Sequence, residues 1–88
     1  MTRVQILYWQ QLPSLVKATG ADGTEVRRQL PDWFQQEIDR AAMQQGLDGS
    51  DDYLAQWRWG EPEERDGAPA LVAEAVEAEL LATHGAGA

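Results

Sequence analysis

Apolar and polar residues alternate through the first third of the chain. Across residues 3–9, Val4, Ile6 and Tyr8 fall on one side of a period of two, in a run rich in β-formers. The alternation predicts a strand there. Pro13 breaks the run, and a second strand is expected over residues 14–19. Gly20-Ala21-Asp22-Gly23 then reads as a tight hairpin turn, because Asp-Gly accepts the positive φ such turns require. A third strand follows over residues 24–30, with Val26 and Leu30 in phase. After Leu30 the period lengthens. Phe34, Ile38, Ala41, Ala42 and Gln45 recur at helical spacing, with Gln35, Gln36, Asp39 and Arg40 on the other side. This predicts a helix over residues 31–45. Pro31 suits its first turn, Asp32 the positive end of its dipole, and Gly46 its end.

Asp48-Gly49-Ser50-Asp51 reads as a loop, with Asp48, Asp51 and Asp52 as turn and cap residues. Residues 53–59 alternate again. A fourth strand here would put Tyr53, Ala55, Trp57 and Trp59 on one face, and Leu54, Gln56 and Arg58 on the other. An acidic connector over residues 61–67 leads to a second helix over residues 69–82, with Val72, Ala75, Val76 and Leu80 as its apolar stripe. The order β-β-β-α-β-α predicts an α+β fold, a two-layer sandwich. Its four-stranded, mainly antiparallel sheet would carry both helices on one face. One domain over residues 1–83 and a glycine-rich tail over 84–88 are expected.

Size and charge narrow the picture. At 88 residues the chain supports a single core of barely sufficient size. It has no cysteine, which removes disulfides, thiolate nucleophiles and zinc fingers, and agrees with a reducing cytoplasmic setting. No secretory signal pattern opens it, and no apolar run approaches the ~20 residues of a membrane span. The net charge is −8: residues 1–60 carry six Lys/Arg against eight Asp/Glu, and residues 61–88 carry Arg65 against seven acids. That balance argues against nucleic acid and anionic membrane as partners.

Catalytic chemistry finds no foothold. His84 is the one histidine and lies near the end, Ser14 and Ser50 have no local base, and Glu37 and Asp39 do not share a helix face. No phosphate-binding glycine pattern occurs, and the acids of residues 61–66 lack calcium-loop spacing. The expectation is a protein that is not an enzyme, with no metal and no cofactor.

What remains is a surface. With Val4, Ile6, Tyr8, Trp57 and Trp59 inward, the outward set would include Arg3, Trp9, Lys17, Arg27 and Arg58. This basic, partly aromatic patch resembles a protein-interaction face. Solvated strand side chains with cross-strand charge and cation–π pairing are the plain alternative. Trp57, Trp59 and Gly60 are expected to be structural.

Read together, Ile6-Leu7-Tyr8-Trp9, residues 29–39 (QLPDWFQQEID) and Tyr53-Leu54-Ala55-Gln56-Trp57-Arg58-Trp59-Gly60 resemble a family of small bacterial proteins labelled virulence factor. That label comes from similarity to a domain of the staphylococcal conserved virulence factor C. The resemblance spans about residues 3–82, and Trp57-Arg58-Trp59-Gly60 is its most specific part. It implies no catalytic residues, and it favours an adaptor or accessory role. Two functions are therefore carried forward. One is a non-catalytic interaction module that docks a partner protein or a second copy. The other is a small accessory subunit of a metabolic enzyme, with Arg58 or Arg65 touching an anionic group.

Overall fold

The first strands form where alternation places them, as an antiparallel meander of β1 (Thr2–Trp9), β2 (Leu12–Thr19) and β3 (Glu25–Gln29). The computed structural model describes residues 1–47 and 49–84. Asp48 and residues 85–88, where a turn residue and most of the tail were expected, lie outside the described residues. The β2–β3 turn closes through Gly23, at φ +89°, and Asp22 accepts a hydrogen bond from the Thr24 N–H. That bond holds the Asp22 carboxyl below its usual range.

Pro13 does not end a strand. It lies inside β2, buried, beside a bulge: Leu7 pairs with Leu15 but Tyr8 pairs with Pro13, which leaves Ser14 as the extra residue. A bulge is one of the few places where a strand tolerates proline. On its other side the Ser14 carbonyl accepts the Leu30 N–H at 3.1 Å, one step beyond the Leu15–Gln29 pair of β2 and β3.

Helix α1 (Asp32–Gln44) starts after Pro31, and Gly46 follows its end at φ +70°. Its buried stripe is Phe34, Ile38 and Ala42. The next segment departs from the expected strand. Residues 51–55 form the short helix α2 (Asp51–Ala55), and β4 (Trp57–Trp59) keeps three residues only. Ser50 explains this: its hydroxyl oxygen accepts the Tyr53 N–H, and Asp51 and Asp52 occupy the first turn. A capped, acidic helix start outweighs four residues of weak alternation.

A fifth strand, β5 (Glu63–Arg65), forms from the acidic connector, followed by α3 (Pro69–His84). The sheet path is β3-β2-β1-β4, and β5 also pairs with β1. Leu7 faces Trp59 and Val4 faces Glu63, so β4 and β5 run along one edge of β1 with one extra residue between them. The Gly60 N–H bonds the Ile6 carbonyl at 2.8 Å in that bulge.

Two apolar clusters hold the layers. Val4, Val16 and Ala18 pack with Leu30, Phe34 and the α3 residues Val72, Ala73 and Val76. Ala73 rather than Ala75 completes the α3 stripe, and Ala75 is exposed. The second cluster is Trp9, Ile38 and Ala42, with Leu12, Tyr53 and Trp57 against them. The helices therefore do not form one layer. α3 packs across β1, β2 and β3, while α1 and α2 close the end of the sheet where β1 turns into β2.

Candidate functional site

Cross-strand register lays out the face of the sheet that α3 leaves open, since residues directly opposite one another share a face. Leu7 stands between Leu15 and Trp59, and Gln29 follows Leu15. The next row is Gln5, Lys17 and Arg27. The row beyond is Glu64, Arg3, Thr19 and Glu25. An apolar row is thus flanked by a basic one.

Trp59 is 42% exposed. Lys17 Nζ sits 4.6 Å from the centre of its ring, a cation–π contact that holds the lysine over the indole. Arg27 bonds Glu25 at 2.7 Å, and Arg3 bonds Glu64 at 3.3 Å. The Arg27 hydrogen bond, with the charges of Arg27 and Lys17 behind it, keeps the Glu25 carboxyl below its ordinary range.

Arg3, Lys17 and Arg27 therefore share the open face as expected. Trp9 and Arg58 do not. Trp9 has the alternation phase of the open face, yet it is 0% exposed. At its end of the sheet α1 and α2 supply the cover: Ile38 and Ala42 pack on it, and its indole N–H donates to the Tyr53 carbonyl at 2.9 Å. Trp57, paired with Trp9, is half-buried in the same cluster. Trp59 lies one step beyond that cover and points outward, so its expected core position is corrected.

Arg58 falls on the opposite side, opposite Tyr8, with its guanidinium 4.9 Å from the Tyr8 ring centre. Gly60 meets the same ring. A Cβ there would stand 2.8 Å from Tyr8 Cε2, so only glycine lets the bulge pass beneath Tyr8. Each residue of Trp57-Arg58-Trp59-Gly60 thus has its own contact: the end cluster, the Tyr8 face, the open face and the Tyr8 edge. One local signal bears on this segment: the Ser50-Asp51-Asp52 helix start, which shortens the strand to Trp57–Trp59.

Arg58 lines a cleft of about 500 Å³ between the β4–β5 edge and α3. On its far wall Arg65 makes a two-pronged bond to Glu79, at 2.5 and 2.7 Å, and a third to Glu63 at 3.2 Å. The Arg65 bond holds the Glu79 carboxyl below its ordinary 4.5, and Glu79 in turn raises Arg65 further. A depressed carboxylate contributes stability above its unfolded value, and that contribution is lost as pH falls through the folded value. Arg65→Gln should therefore cost less than about 1 kcal/mol at neutral pH, because Glu79 is half exposed and screened. The gap between variant and wild type in urea midpoint should narrow below pH 4.5. A gap that widens on acidification would contradict the pairing.

Among the described residues, no group of three or more His, Cys, Asp or Glu could hold a metal ion. No described helix is long and apolar enough to cross a membrane.

Compared with known proteins, the chain matches the family model described as Virulence factor over residues 7–86, which takes in the Trp57–Gly60 motif and the helices. No curated protein and no solved structure matches it.

Proposed function

The chain belongs to the Virulence factor family, and on that premise we propose that it is a non-catalytic, cytoplasmic interaction module docking a partner protein on its open sheet face. The observation that supports this reading is the exposed Trp59. It stands under Lys17, in register with Leu7 and Leu15, on a chain whose remaining surface is acidic. Tryptophan and positively charged side chains around an apolar row are what a desolvated hot spot uses. The partner that fits carries an apolar side chain for the Trp59–Leu7–Leu15 row and carboxylates for Lys17 and Arg27.

A second copy is a poorer fit. Two of the carboxylates it would offer from residues 61–66, Glu63 and Glu64, already bond Arg65 and Arg3 of their own chain. The accessory-subunit reading has one observation in its favour: Arg58 has no ion pair among the described residues, whereas Arg65 is held by two carboxylates.

A photo-crosslinking residue at Gln5, on the open face, should capture a partner in the native cell, whereas one at Glu74, on exposed α3, should not. With that partner purified, Trp59→Ala and the pair Lys17→Gln, Arg27→Gln should each weaken binding about tenfold or more. The binding should also weaken as salt shortens the Debye length from ~10 Å at 0.1 M to ~3 Å at 1 M. Equal capture from both positions, or unchanged binding by the folded variants, would leave this face merely solvated. Capture of the chain by itself would mark a homodimer.

A further inference from the structure

We propose that the cleft between the β4–β5 edge and α3 binds a small zwitterion, an α-amino acid with an aliphatic side chain. Its volume of about 500 Å³ suits a small ligand. Ile6, Val76 and Leu80 make part of its lining apolar, while Arg58 and Glu61 supply opposite charges.

Two of the cleft's five charged residues stand apart from the other three. They line one cleft from either side of the Gly60 bulge, yet they form no ion pair with each other or with any other described residue. The other charges of the cleft are closed among themselves, since Arg65 holds both Glu79 and Glu63. One cation and one anion therefore keep unspent hydrogen-bonding capacity. Arg58 is also steadied by its contact with the Tyr8 ring, which lowers the ordering cost of using its guanidinium fork.

A ligand with a carboxylate alone would satisfy Arg58 and be repelled by Glu61. An amine alone would meet the reverse. A molecule carrying both groups satisfies both, and an aliphatic side chain covers Val76 and Leu80. The site lies across the sheet from Trp59 and Lys17, so it stands or falls independently of the docking face.

Titration of the full chain with L-leucine, followed by amide NMR shifts, tests the assignment. Leucine should shift the Tyr8, Gly60 and Leu80 amides. 4-Methylpentanoate and 3-methylbutylamine, which lack one charge each, should bind about tenfold or more weakly than leucine. Glu61→Gln changes an exposed side chain and should preserve the fold while lowering leucine affinity about tenfold; Arg58→Gln should do the same. Lys17→Gln should leave leucine binding unchanged. The proposal is overturned if leucine moves none of those amides, if the acid alone binds as tightly, or if Glu61→Gln binds leucine unchanged.

Discussion

Trp9→Ala should remove about 3–5 kcal/mol of stability, the usual result of emptying a large aromatic core site. A domain of this size has only about 5–15 kcal/mol to lose. Trp9 is the largest fully buried side chain, and it is the centre of the cluster that joins α1 and α2 to the sheet. Its removal also leaves the Tyr53 carbonyl without its indole donor. Trp59→Ala is the matched control: an exposed indole stacked under one lysine should cost less than about 1 kcal/mol. Urea midpoints of the two variants decide the matter. If Trp59→Ala were the more damaging, the cover of α1 and α2 would lie over Trp59 rather than over Trp9.

The second large effect is expected at Gly60. Gly60→Ala places a Cβ 2.8 Å from Tyr8 Cε2, closer than carbon atoms pack, so the ring or the bulge must move. Overpacking of this kind costs about 1–3 kcal/mol. The Tyr8 ring cannot swing away freely, because Arg58 lies against its face. Removing the ring should relieve the clash, so Gly60→Ala in a Tyr8→Ala background should cost much less than in the wild type. Equal costs in both backgrounds would mean that the penalty comes from backbone entropy or the ladder rather than from the ring.

Resemblance read from short motifs agrees with the family match, and the same motif shows how far local reading extends. Trp57, Arg58, Trp59 and Gly60 were legible as a unit within the matched residues. Their contacts were not. Arg58 was expected on the solvent face beside Lys17, and it instead packs on Tyr8 across the sheet. Two neighbouring residues on a strand cannot both be outward, and the structure chooses Trp59.

By itself the sequence determined the elements whose signals are local. Alternation set the three-strand meander, Asp-Gly set its second turn, and the spacing of Phe34, Ile38 and Ala42 set α1 and its buried stripe. It also placed Arg3, Lys17 and Arg27 on one face, because register within a hairpin follows from its turn. Tertiary structure alone decided which indoles are buried. A period of two says which side chains share a side, but not where along that side a helix will lie. Trp9 and Trp59 share the phase of the open face, and only the packing of α1 and α2 over one end buries the first and leaves the second in solvent. That cover comes from residues more than twenty positions away in the chain, beyond the reach of any local pattern.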